Sequence, residues 1–224
     1  MKFKALTAAL ALTAGAAAAT PAAAQVQGSI AIVNAPAAVA QTQAFQSAYQ
    51  QIAATYQTQR TTIQERQQQQ NTLLQQLDTN SDGNLDENEQ RAAQGTPQAQ
   101  QYAQLDQEIA GLQNQIDRAR VYAVEQILRQ YSTTVQQIVT QDGVAVLLSP
   151  DSVLYAQQGA DITPKVVTAI NTALPSVQTA IPADWQPSRQ AVAVFQQVQQ
   201  LLMAAAQQAA QQQQQPQTTG DSRM

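Results

Sequence analysis

Between residues 45 and 77 the apolar side chains are spaced for one face of a long helix and little else. Phe45, Tyr49, Ile52 and Tyr56 follow one another in steps of four, three and four, and Ile63, Leu73 and Leu77 extend the same face. In that register Gln59, Arg66 and Gln70 occupy the remaining places, so the pattern is a heptad seam with polar interruptions. No Gly or Pro interrupts the chain between Pro36 and Gly83. A helix from Phe45 to Leu77 is roughly 50 Å long at ~1.5 Å per residue.

A second seam starts after Gly95 and Pro97, a stop and a start signal. Tyr102, Leu105, Ile109, Leu112, Ile116 and Ala119 alternate threes and fours, and Val124, Ile127, Tyr131, Val135 and Ile138 continue the face. Two long helices joined by one short turn favour antiparallel packing. The expected arms span 43–140, with a tip loop at 78–96.

Short apolar segments flank this hairpin. Ser29 to Asn34 reads as a strand, and so does Val144 to Leu148. After a turn at Pro150 and Asp151, Ser152 to Ala156 reads as a further strand that completes a β-hairpin. Thr163 as N-cap and Pro164 in the first turn open a helix with Val166, Val167, Ile170 and Leu174 on one face. The fold class is therefore α+β, mainly α: a long antiparallel coiled-coil hairpin projecting from a small β-rich body (28–42 and 141–174). From Pro187 an amphipathic helix carries Val192, Phe195, Val198, Leu202 and Ala205. It forms an extension over 175–206, and a Gln-rich, low-complexity tail at 207–224 is expected to be disordered.

The first 24 residues read as a cleaved signal peptide. Lys2 and Lys4 precede an Ala/Leu/Thr run, and Ala22, Ala23 and Ala24 offer a small-residue cleavage site. The run is too short and Ala-rich for a membrane anchor. Loss of the two lysines leaves nine basic and fifteen acidic residues, which argues against a nucleic-acid partner. The chain has no histidine and no cysteine. Zinc and haem chemistry and a Ser-His-Asp triad drop out together, and an enzyme is not expected.

Five of the fifteen acidic residues lie in residues 78 to 89, DTNSDGNLDENE. This stretch fits the EF-hand loop position by position. Asp78, Asn80 and Asp82 stand at one, three and five, and Gly83 stands at six, where the chain turns sharply. Asn84 at seven offers its carbonyl, Asp86 at nine acts through a water, and Glu89 at twelve is the bidentate ligand. Hard oxygen donors at this spacing are what Ca²⁺ takes. Asp, Asn and Gly also build a polar turn without any metal. A lone loop of this kind is expected to be weak, ~10⁻⁴ to 10⁻³ M.

The strand IAIVN, the long hairpin, VAVLL, SVLYA and DITPKVV, following an export signal, together resemble the Skp/OmpH family of periplasmic chaperones over residues 29 to 174. The resemblance implies a homotrimer in which three helical arms hang from a joined body. It implies that unfolded outer-membrane proteins are held between the arms, in the periplasm and without ATP. Tyr49, Tyr56, Ile63, Leu73, Tyr102, Leu105 and Leu112 are then candidates for client contact, although their heptad spacing equally makes them the helix–helix seam. Two features depart from the family pattern: the acidic balance of the mature chain, and the extension from 175. A structural coiled-coil protein of the envelope, or a calcium binder without clients, is the competing reading.

Overall fold

The computed structural model describes residues 28–157 and 159–214. The expected signal peptide and residues 215–224 of the Gln-rich tail lie outside them. The element order is β1 (Ser29–Ile32), α1 (Ala35–Gln41), α2 (Gln43–Thr55), α3 (Gln57–Leu77), α4 (Glu87–Ala93), α5 (Pro97–Gln141), β2 (Val144–Leu148), α6 (Thr163–Ala173) and α7 (Arg189–Gln214).

The first arm is segmented, where one unbroken helix was expected. Thr42 ends α1 and starts α2 with a single buried hydroxyl, which donates to the Val39 carbonyl at 2.8 Å and accepts from the Phe45 N–H at 3.2 Å. A side chain that serves both helix ends replaces backbone bonds and lets the axis bend. Tyr56 makes a second break between α2 and α3. The return arm is the single helix α5, which at 45 residues spans roughly 67 Å. Thr96 caps it by accepting from the Ala99 N–H at 3.3 Å, with Pro97 in the first turn.

Helix α5 runs from the arm tip down into the body, so both regions share one backbone. Its root half carries Val121, Val124, Ile127, Leu128 and Ile138 into a core with Val39, Ala44 and Phe45 on one side and Val166 and Ile170 of α6 on another. Strands β1 and β2 pair in parallel, Ile30 with Val146 and Ile32 with Leu148. A parallel pair needs a long crossover, and here the crossover is the whole arm hairpin. Gly28 (φ +127°) lies so close to β2 that a Cβ there would come within 2.7 Å of the Ala145 Cβ.

Two details of the body differ from the sequence expectation. Residues Ser152 to Ala156 form no strand. Pro150–Ser152 is a 3₁₀ turn, and Leu154 and Tyr155 stand exposed beyond it. The segment SPDS has no glycine or asparagine for the positive φ that a two-residue hairpin turn prefers. The free side of β1 is also already taken, since the Ile32 N–H donates to the Ala160 carbonyl at 2.8 Å and the Ile32 carbonyl accepts from the Ile162 N–H at 2.9 Å. Thr163 is the first residue of α6 and makes no cap; its hydroxyl oxygen accepts instead from the Asn34 N–H at 2.9 Å, tying α6 to the start of α1.

The extension from 175 is part of the body. Ala191, Val194, Phe195 and Val198 of α7 are buried against α1 and α5. Helix α7 then continues to Gln214, eight residues beyond the expected end at 206. Alanine and glutamine both favour helix, so polar composition did not by itself end it.

Candidate functional site: the arms and their tip

Helices α3 and α5 pack along a narrow seam. Ile63 and Leu73 from α3 and Leu105, Ile109 and Ile116 from α5 are buried. Of the polar places in the heptad, Arg66 reaches across to Glu108, with Nε 2.8 Å from Oε2. Gln59 and Gln70 bring amide atoms into the seam without a protein partner. Polar groups at core positions cost stability and help fix the register of the two arms.

Burial removes Ile63, Leu73 and Leu105 from the set of side chains a client can touch. Tyr56, Tyr102 and Leu112 are half-buried along the same hairpin. Tyr49 belongs to the body: its ring lies 4.0 Å from that of Phe45, the Arg120 guanidinium stands 5.5 Å from its centroid, and its hydroxyl accepts from Gln199 of α7 at 3.1 Å. Burial pushes its pKa up to about 12, with Arg120 and the Gln199 bond working the other way.

The tip follows from the sequence pattern but is held by its own backbone. Asp78 closes α3, and its two carboxylate oxygens accept from the N–H groups of Asp82 (3.2 Å) and Gly83 (2.8 Å). Asn80 Oδ1 accepts from Asp82 N–H and Asp82 Oδ1 from Asn84 N–H, each at 2.8 Å. Gly83 has φ +84° with open space around it, so the glycine serves the turn and not a close approach.

Asp86 caps α4, accepting from Asn88 N–H at 2.7 Å and Glu89 N–H at 2.9 Å. Glu89 returns the bond, Oε2 accepting from Asp86 N–H at 3.1 Å, which completes a capping box. Its other oxygen, Oε1, accepts from the Thr79 N–H (2.7 Å), the Thr79 hydroxyl (2.8 Å) and the Asn80 N–H (3.1 Å). This buried carboxylate therefore stitches the start of the loop to the start of α4. The Asp86 N–H bond foremost, then the Thr79 hydroxyl, holds its pKa below the ordinary carboxylate value, against the opposing effect of burial. The six oxygen-bearing residues thus share one loop, but among the described residues no three carboxylates converge on a metal position.

A third cluster was not anticipated. Glu125 of α5 is buried, paired with Arg129 at 3.0 Å and accepting from the Trp185 indole N–H at 3.1 Å. Trp185 also stacks edge-on against Tyr122 and lies beneath Arg118. The lone tryptophan in the Pro-rich link was the available signal, since a large aromatic in a connecting segment has to cover something.

Residues 29–170 match the protein family described as outer membrane protein (OmpH-like). The chain belongs to the OmpH-like family. The match starts at β1 and ends within α6, so α7 lies beyond it even though it helps to build this OmpH-like body. Among solved structures, the chain is similar to an OmpH-like protein from Caulobacter crescentus CB15 at 18% identity and a TM-score of 0.39. That likeness covers 72% of this chain and 91% of the other. No curated protein matches the chain. Among the described residues of this OmpH-like chain, no helix is long and apolar enough to cross a membrane.

Proposed function

We propose that this OmpH-like chain is an ATP-independent periplasmic holdase that keeps unfolded outer-membrane proteins between the arms of a homotrimer. Family membership supports the chaperone class. The observation that carries the holding mechanism is the outer surface of the arms. Gln64, Gln67, Gln68 and Gln69 of α3 and Gln100, Gln104 and Gln107 of α5 are all exposed, while the aliphatic residues face inward. Such a surface offers an unfolded chain many weak amide contacts and none that competes with its eventual fold. Client contact accordingly rests on these amides and not on the buried seam. The trimer reading is supported by Ile30, Leu154 and Tyr155, which are large, apolar and exposed on the body.

The mature chain at micromolar concentration is expected to scatter light as a trimer and to suppress aggregation of an unfolded barrel protein without nucleotide. A monomer that leaves aggregation unchanged at several-fold excess would return the chain to the class of structural coiled coils.

We also propose that the tip loop takes one Ca²⁺ per chain through Asp78, Asn80, Asp82, Asn84, Asp86 and Glu89. Support comes from the order of oxygen donors and from the positive φ at Gly83. Glu89 would exchange its backbone hydrogen bonds for the ion, so binding is expected to be weak and confined to the tip. Calorimetry at millimolar calcium tests it: heat from the wild type and none from Glu89→Gln is expected, and equal heat from both would reduce the loop to an acidic turn.

A further inference from the structure

At the arm tip, where α3, α4 and α5 meet, Leu74, Leu77, Leu85, Ala93, Ala99 and Tyr102 surround an open cleft of about 280 Å³. The four large side chains are each half-buried, so the cleft is neither closed core nor plain surface. The side chains of Gln90 and Gln94 complete its wall, and no charged residue lines it. Its surroundings are the opposite. Asp78 lines the adjoining depression, which shares Leu74 and Leu85 with the cleft. Glu87 lies one turn before Gln90 on α4, a spacing that puts the two on one face. Within 78–96 the chain has five acids and one base, Arg91.

We infer that this cleft seats one aromatic or large aliphatic side chain of an extended polypeptide, with basic residues on either side of it held by the acidic rim. The size favours a single side chain; a docked helix would need a longer groove to take its successive anchors. Charge complementarity selects the flanking residues, because an acidic or neutral segment gains nothing from Glu87 or, in the calcium-free loop, from Asp78. The inference rests on the holdase reading for the identity of the partner, an unfolded client, but it adds a specific tip site to the diffuse amide surface of the arms. An arm with a preferred first contact at its end takes hold of a client before the rest of the surface engages.

The probe is a fluorescein-labelled peptide of seven residues, with arginines flanking one phenylalanine in a Gly/Ser background. It is titrated by anisotropy against the full mature protein. Saturable binding at one site per chain is expected. Replacing the phenylalanine of the peptide by alanine should weaken it about tenfold or more, the factor expected for burying one such side chain. Ala99→Phe should plug the cleft with a similar loss, and Glu87→Gln should weaken binding a few-fold and flatten its salt dependence. Equal affinity for the phenylalanine and alanine peptides would overturn the inference, whatever happens to the protein variants. So would unchanged binding to an Ala99→Phe protein whose circular dichroism and melting match the wild type. The aggregation assay run alongside separates the two readings. Suppressed aggregation without peptide binding removes the tip site alone, and peptide binding without suppression removes the holdase alone.

Discussion

Raising the pH should loosen the body through Tyr49. Its phenol is half-buried between α2, α5 and α7, and that burial lifts its pKa from the ordinary 10 to about 12. The unfolded chain ionises near 10 and the folded chain does not, so the stabilisation is complete below pH 10 and is lost as pH rises towards 12. One unit is worth ~1.4 kcal/mol. By pH 11.5 the unfolded state has gained about 2 kcal/mol over the folded one from this group. Tyr131, also raised by burial, adds to the same trend, so the wild type alone cannot isolate Tyr49. Tyr49→Phe can. Near pH 9 this variant lacks only the bond from Gln199, worth ~1 kcal/mol. By pH 11.5 it should have become the more stable of the two. Urea denaturation followed by Trp185 fluorescence at both pH values reads the difference. If wild type and Tyr49→Phe lose stability in parallel, Tyr49 is solvated and Gln199 of α7 does not reach it.

Three further outcomes follow from the packing. Ile127→Ala, at a fully buried position on α5, should cost ~2–5 kcal/mol in the same denaturation experiment. Phe195→Ala should cost ~3 kcal/mol and lower the melting temperature by roughly 6–12 °C, an effect absent if the extension were a loose appendage. At the tip, Glu89 stabilises while ionised, so its contribution is present above the ordinary carboxylate range and lost as pH falls through its lowered pKa. The protection factors of the Thr79 and Asn80 amides should therefore fall selectively in acid, and Thr79→Val should lower protection of the same amides at neutral pH without changing the melting of the body.

The arms were legible because a heptad is a local rule repeated many times, and the burial of Ile63, Leu73, Leu105, Ile109 and Ile116 follows it closely. Errors fell where one side chain or one distant partner decides. Thr42 separates α1 from α2 through two hydrogen bonds, and nothing in its spacing separates it from any other threonine in a helix. Ser152 to Ala156 has the composition of a strand, but the third place in the sheet goes to residues 160–162 beside β1, which no local pattern reveals. At the tip the donor order was plain, yet no spacing rule shows that the last of the donors, Glu89, is spent on the backbone of Thr79 and Asn80. The burial of Glu125 is equally hidden from local pattern, because its partner, Trp185, lies 60 residues away.

The parallel pairing of β1 with β2 sets an order of events for a chain that emerges N-terminus first. Residues 29–32 wait for residues 144–148, then for 160–162, and the core they cover waits for Phe195 and Val198. The arms need only each other and can form while the rest of the chain is still to come. Contacts this distant in sequence close slowly, because the loop entropy is lost before any of them forms. The last piece in place is the helix outside the family match, and until it arrives the apolar faces of α1 and α5 stay open. In its own half-made state this chain shows the kind of surface it is proposed to shield in others.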